Sequence, residues 1–369
     1  MVMIDHFWIG AKPNDGVERG VYHMLGNGWI GVDLFFVLSG FLITGILLDS
    51  KGKEGYFRNF YARRALRIFP LYYAFLFVWF YVIPNVIQIS PDGPFAATKD
   101  SQIWFWTYLS NYLSVIKHIP IPHGLNHIWS LAIEEQFYLV WPFVVLLVSR
   151  RTLRAICLLM VAAGFVFCVW LLTTPYAHTG GLVLTPARMG TLAVGAWLAS
   201  AVREPRLKAR VERLAPYSLA ASVILLVGIN LPDLQMQGYE PVMQTFGFPL
   251  LAIAAASIMA LAMNSTRRWT WYQKLFRTRV LKFFGKYSYG MYIFHLPVVV
   301  AFEGIGLTIV VFPLVGKSDV PGAIVFTLLA LATTTLLAYL SWHLYEKQFL
   351  RLKSRFGPGA TTIRSREAA

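Results

Sequence analysis

WIGVDLFFVLSGFLITGILL, residues 29–48, is twenty residues long and carries one charge, Asp33. A helix needs about 20 predominantly apolar residues to cross the ~30 Å hydrocarbon core of a bilayer. A soluble α/β enzyme would instead show apolar runs of roughly 4–8 residues broken by turn signals. Further apolar blocks follow at 68–87, 103–115, 129–148, 155–174, 187–202, 215–231, 245–264, 287–306 and 320–343, and a part-block runs from Met1 to about Ala11. The whole chain is 57% hydrophobic and 14% charged, against about half and a quarter for a soluble domain. The fold class read from these blocks is all-α, a polytopic transmembrane bundle. No sequence repeat and no long polar insertion interrupts it.

The net charge of +15 could suggest nucleic acid, but its distribution argues for topology. Segments 51–67, 150–154, 203–213, 265–286 and 347–366 hold 27 of the 33 Lys and Arg residues. Lys and Arg concentrate in cytoplasmic loops, so one membrane face carries nearly all the basic charge, and a nucleic-acid partner is excluded. The same rule tests the block count. Segments 51–67 and 150–154 should lie on the same side, yet three blocks separate them. Block 103–115 is only thirteen residues long and is interrupted by Ser110 and Asn111, so it reads as a re-entrant or interfacial segment. Nine full spans and a partial first one remain, about ten, with a cytoplasmic C-terminus.

Residues 1–11 would rise only about 16 Å as a helix, roughly half of the hydrocarbon core. The natural chain is therefore expected to start upstream, and an N-terminus found at Met1 or Val2 by mass spectrometry of the native protein would refute that. No cleavable signal peptide is evident. Cys157 and Cys168 are eleven positions apart in one block, about 16 Å along a helix, too far to bridge. Both read as buried free thiols.

Ionisable groups inside a bilayer are costly and are functional suspects by default. Here they are His6, Asp33, Glu134, Glu135, Arg188, His295, Glu303 and His343. Adjacent Glu134 and Glu135 cannot both face lipid, and Ser130, Glu134 and Tyr138 share one helix face at four-residue spacing. At least one carboxylate must line a polar cavity or pair with a base, the strongest functional signal in the residues themselves. His6 suits a general base or a plain helix–helix hydrogen bond. Asp33 sits near the outer end of its span, where structure and catalysis are equally open. Gly31, Ser39 and Gly40 on the same helix permit close helix approach. Arg63, Arg64 and Arg67 at a cytoplasmic helix entrance are either topogenic charge or a phosphate site of planar donors. His295, in an aromatic run, reads first as a packed structural histidine. His343 and Glu346 read as interfacial. His118, His123 and His127 cluster on an outer loop at spacings that fit no zinc pattern, so no metal is expected. No Gly-rich phosphate loop or nucleophile elbow is present, which argues against an ATP-driven pump.

Four strings taken together resemble one family. GVDLFFVLSGFLI at 31–43, RRALRIFP at 63–70, WSLAIEEQFY at 129–138 and GKYSYGMYIFH at 285–295 are similar to those of the acyltransferase-3 family of integral-membrane O-acyltransferases, in the family's order and over about residues 1–347. The resemblance implies a membrane acyltransferase domain over 1–347 and a short basic cytoplasmic tail at 348–369. It implies O-acylation, commonly acetylation, of an extracytoplasmic carbohydrate or glycolipid in a bacterial inner membrane. Acyl-CoA would be the cytoplasmic donor, with no permanently bound cofactor and with envelope glycan assembly proteins as candidate partners. It also assigns roles: His6 matches the family's first-helix histidine, Arg63, Arg64 and Arg67 its arginine motif for acyl-CoA, and Glu134 its carboxylate, with Asp33, Ser39, Ser130, Glu135 and His295 in support. Glu134 is then expected to orient or charge-balance the His6 imidazole. Family members usually carry an arginine earlier in the first helix than this sequence reaches. Some append an esterase-like domain, for which the 22 residues after Lys347 are expected to leave no room. The competing classes are a sugar or lipid-linked oligosaccharide transporter without chemistry and a scaffold in envelope assembly. The paired half-repeats many transporters show are not seen here.

Overall fold

Without water to satisfy the backbone, a lipid-exposed chain must close its own hydrogen bonds, which a helix does within one segment. The computed structural model describes residues 1–8, 16–86, 94–230, 236, 238–263, 271–312 and 318–356, and among these no strand is formed. The short α1 (Val2–Phe7) precedes α2 (Gly31–Ser50) and α3 (Tyr56–Phe77, continuing through a π-turn to Val86). Then come α4 (Ile103–Trp106), α5 (Ser110–Ile116), α6 (Trp129–Leu147, entered through the 3-10 turn His123–Ile128) and α7 (Arg150–Leu171). The chain continues with α8 (Thr185–Ala201), α9 (Pro205–Ile229), α10 (Phe248–Met263), α11 (Arg279–Gly304), α12 (Val320–Ser341) and α13 (Lys347–Arg351). Parts of the first block, of the loops around 88–93 and 264–270, the region of Lys317, and the tail 357–369 lie outside the described residues.

Among the described residues, seven helical stretches are long and apolar enough to cross a membrane: Tyr22–Ser50, Tyr56–Val86, His123–Leu147, Arg150–Leu171, Pro205–Ile229, Met243–Met263 and Val320–Phe356. Of the nine full spans expected, the other two candidates are α8, 17 residues long and so about 26 Å, and α11, whose first turns carry Arg279, Lys282 and Lys286. Leu139, Leu147, Leu159 and Ile224 point outward, as a lipid-facing surface requires. The block at 103–115 forms two helices of 4 and 7 residues, neither able to cross a bilayer. Tyr108 breaks them with φ 55°, in the left-handed region that bulky side chains avoid. Tyr72 donates to the Phe105 carbonyl at 2.8 Å, and Gln136 donates to the Tyr108 carbonyl at 2.8 Å and to Asn111 Oδ1 at 3.0 Å. Asn111 in turn donates to the Val183 carbonyl at 3.1 Å. The polar interruption seen in the sequence thus ties the segment to α3, α6 and the approach to α8.

Helices α2 and α8 pack backbone to backbone. A methyl group at Gly40 would overlap the Leu192 carbonyl, and one at Gly195 the Val37 carbonyl. Small residues are what let two helices approach this closely in a membrane. Gly195→Leu is expected to destabilise the protein by about 1–3 kcal/mol through overpacking, read as a lower melting temperature in detergent. Gly285→Ala, where the added methyl meets nothing within 4 Å, should leave it unchanged.

Arg188 crosses the same interface to Asp33 at 2.7 Å, with 0% and 1% of the two side chains exposed. The guanidinium also lies 3.8 Å from the centroid of the Phe248 ring. Asp33 is therefore one half of an inter-helix ion pair. Asp33→Asn leaves Arg188 charged and uncompensated, an expected loss of about 3–5 kcal/mol. Adding Arg188→Met should restore most of the heat resistance, and failure to do so would show that Asp33 stabilises the fold by another route. Cys157 and Cys168 are both free and buried.

Candidate active site: a polar track through the bundle

One face of α6 carries the site's spine. Ser130, Glu134 and Tyr138 stack at four-residue spacing, all buried, and buried His127 lies one turn before Ser130. From His127 to Tyr138 the helix rises about 16 Å, so this face alone covers half the depth of a bilayer core.

At one end, His6 of α1 meets His295 of α11. The rings lie parallel and end to end, 5.1 Å between centroids and 6° between planes, with His6 Nδ1 2.8 Å from His295 Nε2. The second nitrogen of His295, Nδ1, is 2.6 Å from the Tyr292 carbonyl. A carbonyl only accepts, so Nδ1 of His295 carries the hydrogen and, with both rings neutral, its Nε2 is the acceptor. His6 must then donate through Nδ1, which leaves Nε2 of His6 as a bare lone pair. That is the tautomer a general base needs, fixed by a partner ring rather than by a carboxylate. His127 completes the group, its ring 4.8 Å from that of His295. His123 is within electrostatic reach of His6, His127 and His295.

One layer deeper, the Tyr292 hydroxyl donates to the His127 carbonyl at 2.8 Å and shares a 2.6 Å hydrogen bond with Ser130. Below it Ser39 and Tyr138 are hydrogen-bonded to each other and face Glu134, whose Oε1 has no hydrogen-bond partner. The Arg64 guanidinium lies 4.1 Å from the centroid of the Tyr138 ring, within electrostatic reach of both Glu134 and Glu135. Glu135 turns the other way, toward Tyr72, Tyr73, Tyr108 and Tyr289.

The track ends in cations. Arg67 sits 5.0 Å from the Trp342 ring and near Glu346. Arg63 is exposed. Lys353, in the 3-10 turn Leu352–Phe356 after α13, lies near Arg63, Arg64 and Arg67. Four positive groups from two ends of the sequence thus share one region.

The sequence-derived candidates divide accordingly. His6, Ser130 and His295 belong to the histidine half of the track, and Ser39, Glu134 and Arg64 to the arginine half. His6 pairs with His295, so the expected Glu134–His6 partnership is not the arrangement formed; Glu134 lies about two helical turns deeper than His127. Asp33 is committed to Arg188. His343 packs against Tyr339 and Tyr287, Glu346 accepts from Ser341 at 3.1 Å, and Glu303 is exposed. Three residues not singled out for the site belong to it: His127, Tyr292 and Lys353. His127 was hidden among loop histidines, and Lys353 looks like any topogenic charge. Among the described residues no group of three or more His, Cys, Asp or Glu side chains is arranged to hold a metal ion.

Residues 1–343 match the family described as "Acyltransferase domain", the acyltransferase-3 type. The chain is 31% identical over 299 residues to a Bacillus subtilis protein provisionally named peptidoglycan O-acetyltransferase YrhL, covering 76% of this chain and 46% of that protein. It is 30% identical over 306 residues to a provisionally named O-acetyltransferase of Staphylococcus aureus, covering 76% and 48%. It is 29% identical over 287 residues to peptidoglycan O-acetyltransferase OatA of Listeria monocytogenes, covering 74% and 45%. The chain thus spans about half the length of these relatives or less. No solved structure matches it significantly. With a family match over nearly its whole length and helices of membrane-crossing length, this integral membrane protein belongs to the acyltransferase-3 family.

Proposed function

We propose that the protein moves an acetyl group from cytoplasmic acetyl-CoA to a hydroxyl of an extracytoplasmic glycan across an inner membrane. The observation that carries this reading is the track itself, which joins a cationic end to a histidine pair whose outer ring presents a bare nitrogen. Arg63, Arg64, Arg67 and Lys353 would hold the CoA phosphates, arginine by its planar donors and lysine as a point charge. The pantetheine arm would run along the Tyr138–Ser130 face and bring the thioester toward His6. Nε2 of His6 takes the acceptor's hydroxyl proton as the oxygen attacks the thioester carbonyl. The C–S bond then breaks, and the thiolate collects a proton as CoA departs. Glu134, flanked by Ser39, Tyr138 and Arg64, lies on the donor's path and serves the thioester end. Two of the named relatives point to peptidoglycan as the first acceptor to assay.

The test uses inverted vesicles from cells making the full chain, given acetyl-labelled CoA outside and carrying peptidoglycan fragments in the lumen. Label should appear on luminal glycan. Glycan crossing the membrane with no label would instead identify a transporter.

A further inference from the structure

His127 is enclosed, with 3% of its surface exposed, and among the described residues neither Nδ1 nor Nε2 makes a well-formed hydrogen bond, the Ile293 backbone lying only within looser reach of the ring. A buried imidazole with both nitrogens unpaired is costly, because each group loses its water and gains nothing in exchange. Unpaired groups of this kind call for an explanation, and the position supplies one. The ring stands 4.8 Å from His295 at 71° and 5.2 Å from Tyr292 at 72°. It therefore packs edge-on against His295 and Tyr292, beside the His6–His295 pair, without joining its hydrogen-bond chain. Its own backbone carbonyl accepts from the Tyr292 hydroxyl at 2.8 Å, so the residue is anchored through its main chain.

Resting on the proposed acetyl transfer, we infer that His127 is a catalytic residue that donates its ring N–H to the oxyanion formed when the acceptor oxygen adds to the thioester carbonyl. A neutral imidazole always has one N–H, and a donor already stripped of water needs no reorganisation when charge develops beside it. The step balances. The acceptor's proton goes to His6 Nε2, the new C–O bond forms, and the carbonyl π pair moves onto the oxygen held by His127. When that pair returns, the C–S bond breaks, the thiolate leaves with its electrons, and the His6 proton passes to sulfur. His6 handles the proton and His127 the negative charge, which is why two uncharged imidazoles with different hydrogen-bond states sit side by side.

Two variants of the full chain in vesicles test this, His127→Phe and His127→Gln, with acetyl-labelled CoA and peptidoglycan fragments as probes. Phe should lower turnover by about 10²–10³-fold, the usual loss on removing one such donor, with KM for acetyl-CoA unchanged. Gln, which keeps an N–H at similar reach, should recover at least about tenfold of that loss. Because an unpaired imidazole contributes no stability, His127→Phe should melt at or above the wild-type temperature. Turnover of the Phe variant within about threefold of wild type, a Gln variant no better than Phe, or a melting temperature clearly below wild type would each overturn the assignment and make His127 structural. If the wild-type chain itself transfers no label, the acetyl-transfer reading falls and this inference with it. Wild-type transfer together with a normal His127→Phe variant removes only the inference.

Discussion

Replacing His6 with alanine or glutamine is expected to lower acetyl transfer by about 10²–10⁴-fold, the usual contribution of a positioned base, while the protein still accumulates in the membrane. His6 is only half-buried, and among the described residues it hydrogen-bonds to His295, so little of the fold depends on it. Glutamine keeps a donor for His295 Nε2 but offers no basic nitrogen. It should therefore be as inactive as alanine, which separates loss of the base from loss of the contact. His295→Leu should fall between wild type and these variants. It leaves the His6 base in place but frees its tautomer, and a wrongly placed proton disables a base that is otherwise intact. Full acetylation by His6→Gln, with membrane levels measured alongside, would remove His6 from the chemistry.

What could be read from the sequence follows from how far each relation reaches along the chain. Apolar runs such as 29–48 are local, and they became helices of spanning length. The weak block at 103–115 broke into α4 and α5 where its length and polar interruption said it must. The shared face of Ser130, Glu134 and Tyr138 is a matter of 3.6-residue periodicity. The Ser39–Tyr138 bond across helices, 99 positions apart, is not. The decisive pairings are longer still: His6 with His295 spans 289 positions, and Asp33 with Arg188 spans 155. Only packing of α1 on α11 and of α2 on α8 creates them, and no spacing rule encodes which helices touch. Without that packing, the sequence points to Glu134, the carboxylate the chemistry calls for, as the partner of His6. The fold instead gave His6 an uncharged partner and kept both carboxylates beside Arg64.

Arg64→Leu is expected to have the largest combined effect on stability and function. Arg64 lies against Tyr138 at 4.1 Å and is the cation nearest the pair Glu134 and Glu135. Removing it strands two adjacent carboxylates in the bundle, and breaking a buried charge pair typically costs about 3–5 kcal/mol, enough to deplete the protein from the membrane. The triple variant Arg64→Leu, Glu134→Gln, Glu135→Gln removes the stranded charges. It should regain most of the heat resistance by the logic of coupled sites, yet transfer no acetyl group. Arg64→Lys keeps the charge but cannot lie flat on the Tyr138 ring, and should be intermediate in both readouts. Exposed Arg63 supplies the contrast: Arg63→Leu should leave stability alone and raise KM for acetyl-CoA about tenfold, the loss of about one phosphate contact. Melting temperatures in detergent, read beside label transfer in vesicles, separate the two roles of the cluster. A triple variant as unstable as Arg64→Leu alone would mean that the arginine holds the bundle through Tyr138 rather than through the carboxylates. A triple variant that is both stable and active would mean that none of the three groups handles the thioester.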